Sequence, residues 1–291
     1  MTMRRPQVSV VIPHYDDLPG LGRCLDAVCN QSASIEDAVE IVVADNNSPC
    51  GRDAVEELVR GRARVVVALE KGAGPARNAG IVAARGSLLA FTDSDCIPEP
   101  GWLSAGLAML ERFDLVGGRM EVLVGAEDAM TGPEAFERVF AFDNRDYVER
   151  KGFTVTANLF CRAETAAAIG PFGTGVSEDR EWCLRAVRNG MTIGYAPNAV
   201  VGHPARATWR DLLGKWRRID RESYALWRSE GKSVVGWLGR SWLLPASIVP
   251  HAVKVMRSDR VAGPRDRIKA LSTLVAHRMW RFWDQQRLLL G

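Results

Sequence analysis

Residues 88–98 read Leu-Leu-Ala-Phe-Thr-Asp-Ser-Asp-Cys-Ile-Pro. An apolar run followed at once by two carboxylates one residue apart predicts a buried strand that ends in a charged turn. Three earlier segments have the same shape. Gln7–Ile12 leads into Pro13-His14-Tyr15-Asp16, Glu40–Ala44 into Asp45-Asn46-Asn47-Ser48, and Arg64–Leu69 into Lys71-Gly72-Ala73-Gly74. Between them Leu21, Leu25 and Val28 recur at helical spacing, and helices are expected at 53–59 and 74–84. This alternation predicts an α/β fold, with a mostly parallel sheet and helices on both faces. Ligands in such sheets bind outside the carboxyl ends of the strands, so the four polar sets form the candidate site. Loops after strands are commonly polar. That rule gives no reason for Asp93 and Asp95 to follow the apolar run so closely.

Further along, a helix is expected at 100–112 and a strand at 115–124, while 125–151 is polar and acidic without a clear period. A strand at 153–162, a short helix at 163–169 and an amphipathic helix at 178–189 follow. Short strands at 192–195 and 199–202 then lead into His203-Pro204. From Arg206 onward the pattern is helical, with turn signals near Gly231 and at 262–264.

The chain has 291 residues, 47% hydrophobic and 25% charged, which excludes a disordered, collagen-like or coiled-coil protein. Its net charge of +3 hides an asymmetry. Residues 1–204 carry 20 Lys+Arg against 28 Asp+Glu, whereas 205–291 carry 18 against 7. Seven of the nine tryptophans also lie after residue 204. An acidic body with a basic, Trp-rich extension suggests a tail drawn to phosphate-bearing surfaces and to a membrane interface; a helical cap on the body is the alternative. The most apolar stretch, 234–256, is interrupted by Arg240, Pro245, Pro250 and Lys254, so no membrane span is expected. The six cysteines form no Cys-x-x-Cys pair and no zinc-spaced cluster, which fits a reducing, cytoplasmic compartment. The start of the chain lacks the apolar core of a signal peptide.

Asp93 and Asp95 offer hard oxygen ligands for Mg²⁺ or Mn²⁺ shared with substrate phosphates. VSVVIPHYDD, EIVVADNNSP, KGAGPARNAGIVAARG and LLAFTDSDCIPEPGWL, in that order, resemble the nucleotide-binding half of a family 2 glycosyltransferase with the GT-A fold. TANLFCRAETAAAIGPF, SEDREWCLRAVRNG and VGHP are similar to that family's acceptor half. The resemblance covers residues 7–204. It implies a GT-A domain over 1–204, divided near residue 112 into nucleotide-binding and acceptor halves, with 205–291 as an extension outside it.

The resemblance also implies roles. Pro13 and Tyr15 would line the base of a nucleotide-diphosphate sugar, with UDP the commonest carrier, and Asp45 would bind base or ribose. Arg77 and Ser94 would lie on the nucleotide or diphosphate side, with Lys71 in support. Asp93, Asp95 and His203 would hold Mn²⁺ or Mg²⁺. Where the family shows Asn after the Tyr, this chain has Asp16. Asn158 is a possible acceptor-side residue, while Trp102 is better read as core.

Taken alone, Ser177-Glu178-Asp179 is an ordinary helix N-cap. The resemblance makes Asp179 the catalytic base, with Glu178 in support and Ser177 still capping. Processive relatives carry Gln-x-x-Arg-Trp; here Lys215-Trp216-Arg217-Arg218 stands nearby, which favours adding one sugar. The expected activity is therefore an inverting, metal-dependent transfer to a glycan or lipid-linked acceptor, peripheral to a membrane, with no nucleic-acid partner and a homo-oligomer left open. A sugar nucleotidyltransferase would carry a Gly-rich basic loop after the first strand, and a dinucleotide oxidoreductase would need Gly-x-Gly-x-x-Gly there. A binding module without catalysis would keep the sheet and lose the acids.

Overall fold

The computed structural model describes residues 6–32, 39–175 and 177–289. They form two compact units, the first lying within 1–121 and 142–203 and the second within 122–141 and 204–291.

The first unit opens with β1 (Val8–His14), α1 (Leu18–Ser32), β2 (Val39–Asp45), α2 (Arg52–Val59), β3 (Arg64–Val67), α3 (Ala73–Ala83) and β4 (Leu88–Phe91). β5 (Ile97–Pro98), α4 (Trp102–Ala108) and β6 (Leu115–Leu123) come next. After α5 (Gly132–Phe140), which belongs to the second unit, follow α6 (Asn144–Lys151), β7 (Leu159–Arg162), α7 (Ala163–Ile169), α8 (Glu178–Arg188) and β8 (Ile193–Pro204). The sheet order is β3-β2-β1-β4-β7-β6-β8-β5. The first four strands pair in parallel, as their alternation with helices requires, while β7 joins β4 and β6 antiparallel.

Alternation along β1 divides the core. Val8, Val10 and Ile12 join Leu21, Leu25 and Trp102 in one cluster, and Val11 joins Leu89, Phe91 and Trp182 in another. A Cβ at Gly80 would collide with Val11, so glycine lets α3 lie close on β1 and holds Arg77 near the strand ends. Two strand expectations change. Thr156–Asn158 is a 3-10 turn, so β7 begins only at Leu159. Asn158 turns inward there and donates to the carbonyls of Arg119 and Ala199 while accepting from Trp102 Nε1. The two short strands near 192–202 are one continuous β8 reaching Pro204.

The second unit is helical. α5 begins with a reciprocal capping box between Thr131 and Glu134. α9 (Trp209–Ser229), α10 (Val234–Ala246), α11 (Ile248–Arg257) and α12 (Pro264–Arg287) complete it. Phe136, Leu212, Val255, Ala270 and Leu274 form its apolar core. Asp220 accepts a two-pronged pair from Arg281, at 2.9 and 2.5 Å, and a third bond from Gln285 at 2.9 Å. His277 lies fully buried between Phe136 and Trp216. Burial and the cations Arg281 and Arg278 push its pKa down to about 2, so it stays neutral. The tail tryptophans divide: Trp237 is buried, whereas Trp242 and Trp283 are 63% and 60% exposed. Among the described residues no helix is long and apolar enough to cross a membrane.

Candidate active site

Four parallel strands deliver their polar ends to one edge of the sheet. At the end of β1, His14 Nδ1 lies 2.9 Å from Asp45 Oδ1 at the end of β2. Ser48 donates its hydroxyl to the same oxygen at 2.5 Å and its N–H to Oδ2 at 3.0 Å. Burial opposes charge on Asp45, but the bonds from Ser48 and His14 prevail and hold its pKa below the ordinary value. Asp45 is thus an ionised anchor that ties two loops together. Ser48 also accepts the Asp16 N–H at 2.9 Å, fixing that residue in its left-handed conformation. Tyr15 next to it is 48% exposed, with Lys71 Nζ 5.8 Å from its ring centre. An open aromatic face beside a cation suits a planar base carrying a phosphate chain. Asn46 sets the Lys71 loop by donating to the Ala68 and Glu70 carbonyls and accepting the Gly72 N–H at 2.7 Å.

Arg77 is buried on the first turns of α3. Nη2 donates to Asp93 at 2.8 Å and Nη1 to Glu178 at 2.6 Å. One guanidinium therefore joins the turn after β4 to the start of α8. Burial works against its charge, yet Asp93 and Glu178 hold its pKa above the ordinary arginine value. Among the described residues its Nε, like the buried Thr92 hydroxyl beside Asp93, has no hydrogen-bond partner.

Asp179 follows Glu178 but among the described residues takes only the N–H of Arg180, at 2.6 Å. Burial first, then the neighbouring Glu178 charge, push its pKa up from 3.8 to about 6; Arg77 offsets only part of this. Ser177 does not cap the helix as expected. It sits at φ 59°, and its side chain makes no capping bond, because capping geometry requires an extended backbone.

Asp95, Cys96 and His203 bring one donor atom each within 4.8 Å of one another. His203, at the end of β8, places Nε2 3.5 Å from Asp95 Oδ2 and packs its ring on Phe142. Burial, with Asp93 and Asp95 nearby, pushes the Cys96 thiol well above its usual range in the metal-free protein, and its soft sulfur is a poor match for a hard ion. What remains is one carboxylate and one imidazole, a set suited to Mn²⁺ or Mg²⁺ with further positions for phosphate and water. Asp93 points one oxygen to Arg77 instead.

Of the residues singled out in the sequence, Arg77, Asp93, Glu178 and Asp179 come together, as do Asp95 and His203, while Tyr15 and Lys71 flank the loops anchored by Asp45. Asn158 lies in the core with its amide fully used. His14, Asn46 and Ser48 had no assigned role, although polar side chains directly after buried strands are the signal that marks them.

The family model that matches is glycosyl transferase family 2, over residues 9–169. Glycosyltransferase AglE of Haloferax volcanii is 32% identical over 78% of this chain and 76% of its own length. Pre-mycofactocin glycosyltransferase of Mycobacterium tuberculosis is 27% identical over 72% of this chain, which spans 45% of that relative. Among solved structures, S. aureus TarS 1-349 in complex with UDP-GlcNAc has a TM-score of 0.52 at 17% identity, covering 95% of this chain and 72% of that one. GalNAc-T7 with UDP, GalNAc and Mn²⁺ has a TM-score of 0.55 at 18% identity, covering 70% and 45%. At these identities the two structures show a shared fold, the GT-A fold.

Proposed function

This chain belongs to glycosyl transferase family 2, and from that premise we propose that it moves one sugar from a nucleotide-diphosphate sugar, UDP-linked, to an acceptor hydroxyl with inversion. The observation that carries the reading is Arg77, whose two bonds make the Asp93 turn and the Glu178-Asp179 pair parts of one site. Tyr15 and Pro13 would bracket the base, and Asp45 with its partners would hold the loops that receive it. Lys71, Ser94 and Arg77 lie on the diphosphate side. Asp179 would take the acceptor's proton as the hydroxyl attacks the anomeric carbon in line with the leaving diphosphate, and a single displacement inverts that carbon. A pKa of about 6 leaves Asp179 ionised at neutral pH yet more basic than an ordinary carboxylate, which favours proton transfer. Asp95 and His203 are the residues that would hold Mn²⁺ or Mg²⁺, and the ion would offset charge on the departing diphosphate.

The acceptor is proposed to be lipid-linked, with the enzyme peripheral at the cytoplasmic face of a membrane. The support is the second unit, where Trp242, Leu243, Val249, Met256 and Trp283 are exposed on helices that also carry Arg240, Lys254 and Arg257. In domain terms, 1–204 supplies the catalysis and 205–291 the attachment, with 122–141 packed into the helical unit. The test is a thermal-shift screen of nucleotide sugars with and without Mn²⁺, followed by transfer assays on Asp179→Asn. A metal-dependent donor shift with transfer lost in the variant is expected. Full transfer by Asp179→Asn would overturn the mechanism, and the absence of any nucleotide-sugar shift would overturn the donor.

A further inference from the structure

A groove of about 640 Å³ runs along α9, lined by Arg206, Arg210, Gly214, Lys215, Arg217 and Arg218. Arg210, Gly214, Arg217 and Arg218 follow one another at helical i, i+4, i+7 and i+8 spacing, so they share a face. Arg206 and Lys215 share Glu137, at 3.1 Å each, and Arg217 Nε lies 3.6 Å from Asp284. Arg210 and Arg218 form no ion pair among the described residues. Asp211, which also lines the groove, accepts from the Thr208 hydroxyl at 2.6 Å, within the helix cap. The groove therefore keeps a net positive charge from side chains whose planar forks match phosphate oxygens.

A row of cations on a helix is often a solvated face. Gly214 stands in the middle of this row. Glycine inside a helix costs about 0.5–1 kcal/mol relative to alanine. Here it has no positive φ and a Cβ would meet nothing within 4 Å. Neither backbone nor packing calls for it. Its effect is to leave the helix surface bare in the middle of the cations, where a compact anion can settle against the backbone.

We propose that this groove binds the diphosphate head of the acceptor, a conclusion that rests on the lipid-linked acceptor proposed above. The probe is inorganic pyrophosphate, titrated calorimetrically into the full chain in the presence of chelator, with wild type, Asp95→Ala, Arg210→Ala/Arg218→Ala and Gly214→Met. Wild type and Asp95→Ala should bind alike. The double variant and Gly214→Met should bind at least tenfold more weakly, and Gly214→Met should melt no lower than wild type, because Met favours helix. Unchanged affinity in Gly214→Met and the double variant would overturn the site, as would loss of binding in Asp95→Ala alone.

Two further arms separate the sources of phosphate. If pyrophosphate neither binds nor competes while the same variants detach the chain from phosphatidylglycerol vesicles, the ligand is bilayer phosphate and the diphosphate assignment falls. With a short-chain prenyl diphosphate sugar as acceptor, the double variant should raise KM at least tenfold and leave kcat close to wild type. Turnover with unchanged KM would remove the groove and leave the acceptor reading intact. Groove-dependent pyrophosphate binding without transfer to any prenyl-linked acceptor would do the reverse.

Discussion

Replacing Asp179 with Asn should do two opposite things, and both follow from one electrostatic fact. The carboxyl is pushed from 3.8 to about 6 by burial and by Glu178. A rise of about two pH units is worth about 3 kcal/mol, at about 1.4 kcal/mol for each. The folded protein favours the protonated acid, so this group supports folding most below pH 4. Its contribution is lost as pH rises from 3.8 through 6. Wild type at pH 7.5 therefore holds a charge that the fold resists, and the neutral amide removes it. The shape is kept, since Asn Oδ1 can accept the Arg180 N–H as Asp does.

Asp179→Asn should thus be more stable than wild type at pH 7.5, by up to about 3 kcal/mol. That figure is a ceiling, because the side chain is partly open to water. The gain should shrink below pH 6 and vanish near pH 4. Chemical denaturation of both proteins at pH 4.5, 6 and 7.5 measures it. Transfer, assayed at saturating donor, should fall by a hundredfold or more, while donor affinity stays within about twofold. Wild-type turnover should rise with pH through a midpoint near 6. A variant that is less stable at pH 7.5 and still turns over would refute both the raised pKa and the role as base.

Arg77→Met leaves the Asp93 and Glu178 carboxylates without their shared cation and should cost about 3–5 kcal/mol by denaturation. Arg77→Lys keeps the charge but can serve only one of them well; it should keep the fold and move the pH midpoint of transfer upward, because the other carboxylate would face Asp179 uncompensated. His203→Ala should abolish the gain in UDP affinity on adding Mn²⁺, read by calorimetry, and leave metal-free affinity unchanged; an undiminished Mn²⁺ effect would remove His203 from the metal site. Trp242→Glu/Trp283→Glu, changing two exposed rings, should release the full chain from anionic vesicles at low salt in a co-sedimentation assay. Equal sedimentation of variant and wild type would point away from lipid contact through this face.

What could be read from the sequence was what is local. The β1, β2 and β4 runs are apolar and end in polar sets, so both the parallel sheet and the residues at its edge were legible. Features set by distant partners were not. Arg77 and Glu178 are 101 positions apart, and nothing in either segment announces that they meet. Asn158 looked like an acceptor residue, but the 3-10 turn at Thr156–Asn158 points it inward, where it satisfies carbonyls of Arg119 and Ala199. Ser177 had the composition of a cap, but its left-handed backbone denies it the geometry. The stretch 125–151 gave no period because it serves both units: α5 packs in the helical one and α6 in the other.

The pairing of Arg77 also supplies a physical reason for choosing between two adjacent acids. Three carboxylates lie around one buried guanidinium, which has N–H groups aimed at two of them. Asp93 and Glu178 take those groups and have their charge compensated directly. Among the described residues Asp179 takes only a backbone N–H, and it feels Glu178 and Asp93 as like charges. The carboxylate oxygens engaged by the guanidinium are already filled, and turning one toward an acceptor hydroxyl would give up a charge-assisted bond. The neighbour that lacks the arginine gains from taking a proton. Under the proposed mechanism, the guanidinium that holds the turn after β4 in place therefore leaves Asp179, and not Glu178, as the group suited to receive an acceptor's proton.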